Sequence, residues 1–250
     1  WTIGSESHRV IDAIPELHPG PANNYSNRLT KADAGPEVAE RLRMDFLSDL
    51  RTHNGRLYDI DSRKPVRFLE KTPKNALRIP FLDAVFPGAR YIYLYRDPRE
   101  NISSIMEGWR SKRFVTYPGL SVFAGPWSFL LPEDWASVRT SPLEEVAAFQ
   151  WRAANECILD DLAALEPERS IALSYAELLA GPGAAIERLC EFAGIPVDAA
   201  LRDTVSKPLK ASRYTLTAPE AGKWRKNEAA LARVLPGLNG LWERIQAAGA

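Results

Sequence analysis

The segment that most constrains the fold runs from Arg67 to Trp109, RFLEKTPKNALRIPFLDAVFPGARYIYLYRDPRENISSIMEGW. Phe68 and Leu69 form a short apolar run ending at Lys71. Pro73 suits the start of a helix, because its missing N–H would be unpaired in a first turn anyway. Leu77, Phe81, Leu82 and Val85 then recur at helical spacing until Phe86-Pro87-Gly88 breaks the run. Arg90 to Tyr95 is aromatic and β-branched almost throughout, which predicts a strand buried on both faces of a parallel sheet. It stops in charge at Arg96-Asp97-Pro98-Arg99. The order strand, helix, strand, helix predicts an α/β fold.

Ligands in open α/β sheets bind beyond the carboxyl ends of strands, where helix N-termini offer N–H groups to anions. Lys71 and Arg96 both occupy that edge. Ser103 and Ser104 lie nearly two turns into the helix opened by Pro98, so a hydroxyl there can face the same anion as Arg96. A strand-end Arg with a nearby Ser suits a phosphate, the guanidinium fork supplying roughly 1.5–3 kcal/mol net per charge-assisted bond. The alternative is that Arg96 pairs with Asp97 or Glu100 as a solvated cap.

The run EKTPKNALRIPFLDAVFPGARYIYLYRDPRENISSI resembles the central segment of sulfotransferases that use 3′-phosphoadenosine 5′-phosphosulfate (PAPS). It is most similar to the bacterial group that also resembles tyrosylprotein sulfotransferases. The resemblance implies a single α/β domain with a mainly parallel central sheet and helices on both faces, a P-loop-nucleotide-hydrolase-like fold. It implies transfer of a sulfuryl group from PAPS to an acceptor hydroxyl, leaving adenosine 3′,5′-bisphosphate. By position, Arg96 and Ser104 match the residues that bind the 3′-phosphate. Lys71 matches the Lys that contacts the sulfuryl group and its bridging oxygen. Ser170 to Ser174, a third short strand followed by Tyr175 and an acidic-leucine turn, resembles the family's late strand, whose Tyr lies near the nucleotide. The family's C-terminal segment with Gly-Lys-Trp-like elements closes over the nucleotide; Arg213 and Lys223 are the matching cations here.

Composition sets limits. With 32 basic and 32 acidic side chains the net charge is zero, so no global field draws in nucleic acid, and a cationic pocket must be built locally. Cys157 and Cys190 fall in helix-like stretches and read as core thiols rather than a disulfide framework. No apolar run reaches the ~20 residues of a membrane span, and no secretory signal pattern opens the chain. A soluble, cytoplasmic molecule is expected. His8, His18 and His53 show no metal-ligand spacing, so no metal is expected.

Elsewhere, Val38, Leu42, Phe46 and Leu50 predict a helix from Pro36 to about Thr52, and His18 to Lys31 reads as loop. Arg110 to Thr140 combines Phe114, Tyr117, Phe123, Trp127, Phe129 and Trp135 with many Gly and Pro residues. It is read as the acceptor-binding insertion, against the alternative that its aromatics fill the core. Pro142 to Leu165 predicts a long helix and Ala184 to Ala193 a shorter amphipathic one. Gly181-Pro182-Gly183 superficially matches a dinucleotide loop but lacks the third Gly, so a plain turn is expected.

The family pattern is also departed from. No Gly/Ser-rich basic loop for the 5′-phosphosulfate occurs, so residues 1–250 read as one sulfotransferase domain lacking its N-terminal strand, phosphosulfate loop and first helix. The competing reading is a non-catalytic nucleotide-phosphate-binding relative that has lost the loop; a nucleotide kinase ranks below both for want of a Walker loop. The position that carries a catalytic His in cytosolic sulfotransferases is Pro73. Gly4-Ser5-Glu6-Ser7-His8-Arg9 instead resembles the Gly-Glu-Glu-Thr-Arg-like segment of the tyrosylprotein group, which makes Glu6 the base and His8 an acceptor-facing residue. His8 is the second choice of base, since only His has an unperturbed pKa near neutrality; a purely structural Glu6, paired with Arg9 or a helix end, is the other alternative. The acceptor is a hydroxyl-bearing small molecule, sugar or lipid-linked alcohol. Protein tyrosine is disfavoured because nothing indicates a secretory compartment.

Overall fold

The computed structural model describes residues 1–4, 6–21, 25–52, 54–62, 64–120, 125–207, 215–217, 220 and 222–249. These form two compact units, Trp1–Ala89 with Phe129–Ala136, and Arg90–Ser128 with Ser137–Ala250. No helix among the described residues is long and apolar enough to cross a membrane.

The first unit contains α1 (His8–Ile11), α2 (Pro36–Asp49) and α3 (Ile79–Val85). Leu42 and Phe46 of α2 pack with Ile3, Ile11, Ile14, Leu17, Phe81 and Val85. The expected strand at Phe68–Leu69 does not form a ladder. Phe68 instead turns into an aromatic trio with Phe46 and Phe86, ring centroids 5.3–5.5 Å apart. The backbone there is tied to the chain start, Leu69 N–H donating to the Trp1 carbonyl at 2.9 Å. The expected helix after Pro73 is split. Pro73–Leu77 is a single 3₁₀ stretch, Arg78 leaves helical geometry (φ −133°, ψ 13°), and α3 then begins. Pro80 explains the break, because it has no N–H to continue the bonding and its ring crowds the preceding turn.

A charged cluster holds this stretch against the end of α1. Arg78 is fully buried. Its Nη2 donates to Asp12 Oδ1 at 2.9 Å and its Nε to the Asn27 carbonyl at 3.3 Å, while Lys74 Nζ donates to Asp12 Oδ2 at 2.5 Å. Burial pushes the Asp12 carboxyl upward, but the combined pull of Arg78 and Lys74 outweighs it and holds the group below its usual value of 3.8.

The second unit is built on β1 (Tyr91–Tyr95), followed by α4 (Pro98–Ser111). Next come β2 (Val115–Tyr117) and β3 (Trp127–Ser128), an antiparallel pair, and α5 (Leu143–Ala163). After β4 (Ser170–Ser174) the chain forms α6 (Tyr175–Ala180), α7 (Pro182–Ala193), α8 (Ala199–Val205), α9 (Glu228–Val234) and α10 (Asn239–Ala248). β1 and β4 pair in parallel, from Tyr91 opposite Ser170 to Tyr95 opposite Ser174. This is the expected α/β class, a parallel sheet with flanking helices. Tyr93 is buried among Ile102 and Met106 of α4, Trp151 of α5 and Ile245 of α10, and its hydroxyl donates to Asn155. Burial, with Tyr95 adding to it, pushes the Tyr93 phenol well above its usual value. The other face of β1 differs from expectation: Ile92 and Leu94 are 38 % and 48 % exposed. Among the described residues β1 bonds only to β4, so a composition suited to two buried faces has one of them packed.

The expected insertion is divided by these units. Tyr117, Trp127 and Trp135 are buried; Trp127 meets the Trp109 ring edge-on at 5.1 Å, and Gln150 bridges the Trp109 indole N–H and the Ser128 carbonyl, both at 2.9 Å. Phe114 and Phe129 are half-buried, and Phe123 lies outside the described residues.

The Asp12 cluster yields a stability prediction. Asp12→Asn leaves two buried cations without their counter-ion and should lower the unfolding free energy by about 3 kcal/mol at neutral pH in urea titrations. Because the folded pKa of Asp12 lies below the unfolded one, its contribution is complete above the ordinary carboxylate range and is lost as pH falls through the folded value. Asp12→Asn should therefore also flatten the acid loss of stability below about pH 4. An unchanged urea midpoint together with an unchanged acid slope would show that the cluster contributes nothing.

Candidate functional site

In the first unit, two segments far apart in sequence are laid side by side. Glu6 immediately precedes α1, and Lys71 immediately precedes the Thr72–Pro73 turn. Lys71 Nζ lies 3.0 Å from Glu6 Oε1, and His8 Nδ1 lies 3.4 Å from Glu6 Oε2. The structure thus brings Glu6, His8 and Lys71 together, with one carboxylate oxygen facing each partner. Arg9 is not the partner of Glu6; its Nη2 meets Asp49 Oδ2 at 2.5 Å. Lys71 is 72 % exposed and Glu6 22 %. An ion pair at that exposure is worth about 0–1 kcal/mol. A charge-assisted bond from the ammonium to an incoming anion, roughly 1.5–3 kcal/mol, outweighs it. The pairing with Glu6 therefore leaves Lys71 readily redirected.

In the second unit, the parallel register carries Arg96 and Tyr175 past the same end of β1 and β4. The Arg96 guanidinium lies over the Tyr175 ring, 5.1 Å from its centroid, and its Nε donates to Glu100 Oε2 at 3.0 Å. The cap pairing is thus present in this structure. It uses Nε only, and the outer edge of the fork, Nη1 and Nη2, is the part that can meet an anion bidentately.

The start of α4 is already capped. Asp97 Oδ1 accepts from the Arg99 backbone N–H at 2.8 Å, and its carboxylate also holds the Arg99 side chain. Burial raises the Asp97 pKa, but the bonds from Arg99 and from the Glu100 backbone more than offset this and leave it lowered. A carboxylate therefore occupies the place that a helix N-terminus would offer a phosphate.

The two serines of α4 part company. Ser103 is buried and its hydroxyl accepts from Asn227 Nδ2 at 2.9 Å; Ser104 is exposed. Glu100 and Ser104, four residues apart, are neighbours on one helix face, so Ser104 continues the stripe on which Arg96 is pinned. Asn227 also accepts from Arg110 at 2.8 Å, and Lys226 pairs with Glu107 at 2.6 Å. These contacts lay the 3₁₀ stretch Lys223–Asn227 along α4, with the Trp224 ring between the Arg99 and Arg225 guanidiniums at 5.2 and 5.3 Å. Lys223 itself donates to the carbonyl and hydroxyl of Thr217. Arg213 lies outside the described residues.

Comparison with known proteins follows this geometry. The crystal structure of sulfotransferase STF9 from Mycobacterium avium aligns with 94 % of this chain and 55 % of its own, at 17 % identity and a TM-score of 0.54, which is a likeness of fold. The sulfotransferase domain from the curacin biosynthetic pathway aligns with 66 % of this chain and 46 % of its own, at 22 % identity and a TM-score of 0.45. Protein-tyrosine sulfotransferase A of Caenorhabditis elegans is 25 % identical over 195 residues, 77 % of this chain and 43 % of that protein. The chain therefore spans about half the length of the relatives it matches. A family model described as the sulfotransferase family matches residues 2–199, and the chain belongs to that family.

Proposed function

We propose that the protein transfers a sulfuryl group from PAPS to an acceptor hydroxyl by in-line displacement. The observation that carries this reading is the Glu6–Lys71 pair, a carboxylate and an exposed ammonium 3.0 Å apart on segments matching the family's base and sulfuryl-contacting Lys. When bound, the donor supplies an activated sulfuryl group on a phosphate leaving group. The chain's own work is then positioning and charge neutralisation. Glu6 accepts the proton of the acceptor hydroxyl. Lys71, with three N–H donors of which Glu6 takes one, meets the charge building on the oxygen between sulfur and the departing phosphate. His8, on the far side of the Glu6 carboxylate, orients that group or the acceptor. Arg96, steadied over Tyr175, and exposed Ser104 fit the 3′-phosphate: a planar cationic fork beside a free hydroxyl suits a dianionic, tetrahedral group. Trp224 and Lys223 belong to the segment that lies along α4, and Lys223 would have to leave Thr217 to reach a nucleotide.

The second reading, a nucleotide-phosphate-binding relative without catalysis, is favoured by one observation: no Gly/Ser-rich basic loop occurs within residues 1–250. For the acceptor, we propose a sugar, phenol, lipid-linked alcohol or other hydroxyl-bearing small molecule. The C. elegans relative, a protein-tyrosine sulfotransferase by name, adds tyrosine-containing peptides to the compounds worth assaying.

On the nucleotide side, calorimetry should show adenosine 3′,5′-bisphosphate binding far more tightly than adenosine 5′-phosphate. Arg96→Ala should weaken the bisphosphate by about a hundredfold. Equal affinity for the two nucleotides would remove the 3′-phosphate assignment.

On the chemical step, Glu6→Gln should lower single-turnover transfer in the full chain by roughly 10²–10⁴ with nucleotide affinity nearly intact. Lys71→Ala should reduce both transfer and donor affinity, because the ammonium meets anionic oxygens before as well as during transfer. Near-normal chemistry in Glu6→Gln, with loss in His8→Ala, would move the base to His8.

A further inference from the structure

Glu6 and Lys71 are 65 residues apart in sequence, and their mutual contact is too weak to hold them together. The contact is held by a network directly beneath it. The backbone N–H of Ser7, the residue after Glu6, is shared between Glu70 Oε1 at 3.1 Å and Thr72 Oγ1 at 2.7 Å. The Ser7 hydroxyl donates to Thr72 Oγ1 at 3.2 Å, and the Thr72 hydroxyl donates to Glu70 Oε1 at 2.5 Å. Asn75 Nδ2 donates to the other Glu70 oxygen. Ser7 is fully buried and Thr72 nearly so. Glu70 is thus the acceptor on which the network ends, taking a donor from the Glu6 segment, one from beside Lys71 and one from the following 3₁₀ turn.

The orientation of Asn75 fits a charged Glu70. A carboxylate can only accept, so Asn75 must offer its amide N–H and leave its own Oδ1 aside. That Oδ1 is buried without a hydrogen-bond partner. An orphaned buried carbonyl carries a cost, and here the cost accompanies a strong bond to Glu70.

We propose that Glu70 is a positioning residue that sets the Glu6–Lys71 contact, and through it the alignment of proton acceptor and sulfuryl-facing cation. The inference rests on the proposed roles of Glu6 and Lys71. Glu70 touches neither substrate nor donor in this account. It acts through the backbone of Ser7 and the hydroxyl of Thr72.

The test separates geometry from turnover. Carbodiimide joins a carboxylate to an amine in direct contact without adding atoms, so the Glu6–Lys71 cross-link, counted by peptide mass spectrometry on the full chain, reports the contact itself. Glu70→Ala should reduce its yield at least about fivefold and lower kcat by roughly 10²-fold, with KM for PAPS changed far less. Glu70→Gln should restore both, because Gln can still accept from Ser7 and Thr72 while its amide N–H pairs with the stranded Asn75 Oδ1 after that side chain flips. Thr72→Val, close in shape but without the hydroxyl, gives the same cross-link test should Glu70→Ala fail to fold. An unchanged cross-link in a folded Glu70→Ala or Thr72→Val chain would overturn the proposal, as would failure of Glu70→Gln to restore the link. A lost cross-link with unchanged kcat would uphold the positioning of the pair and reject the catalytic roles assigned to Glu6 and Lys71.

Discussion

Parallel pairing of β1 with β4 is the constraint on which the second unit depends. Once Tyr95 stands opposite Ser174, the next residue on each strand is fixed at the same sheet end, and these residues are Arg96 and Tyr175. The guanidinium then settles over the ring, and Glu100, one turn into α4, takes its Nε. Register therefore sets the direction of the Arg96 guanidinium before any ligand arrives, which is what the proposed phosphate role requires. The helix cap contributes little, since Asp97 has already satisfied it.

The first unit reaches pre-organisation by a different route. Glu6 and Lys71 stand on no ladder; they precede α1 and a 3₁₀ turn, and the residues beside them are joined by side-chain bonds. Two bonded clusters lie in the same chain segments as Glu6 and Lys71. One is the Ser7–Thr72–Glu70–Asn75 network, and the other, the deeper layer in the sense of holding fully buried Arg78, is Asp12 with Lys74 and Arg78. Buried charge is costly unless paired, so the deeper layer gives conformational definition more than net stability. Lys71 and Lys74 belong to the same short motif yet have opposite fates: the first is exposed and paired with Glu6, the second buried and paired with Asp12.

Much of this was legible in the residues. β1, β4, α2, α5 and α7 follow periodicity and Gly/Pro punctuation closely, because each is long or apolar enough for local pattern to decide. The Phe68 strand was not, since a three-ring contact with Phe46 and Phe86 overrides a short apolar run. The split after Pro73 was signalled by Pro80, a second proline inside the predicted helix. Helix position names Ser103 and Ser104 together and the family resemblance picks Ser104; what the sequence could not show is that Ser103 is tied to Asn227, more than a hundred residues away, while Ser104 is exposed. Tyr117, Trp127 and Trp135, within the stretch read as the acceptor-binding insertion, are buried, and aromatic content alone does not distinguish a binding loop from a filled core. Glu70 carried no signal of its own, its meaning depending on Ser7, 63 residues earlier in the chain.

The carboxylate–ammonium pair of Glu6 and Lys71 is proposed to belong to a sulfuryl-transfer centre rather than to a nucleotide-binding surface. The most direct test is transfer from sulfur-labelled PAPS by the full chain, presented with sugars, phenols, lipid-linked alcohols and tyrosine peptides. The prediction is label in a hydroxyl acceptor, matched mole for mole by released adenosine 3′,5′-bisphosphate. Tight binding of the bisphosphate, with no label leaving PAPS for any acceptor class, would contradict it and favour the non-catalytic reading.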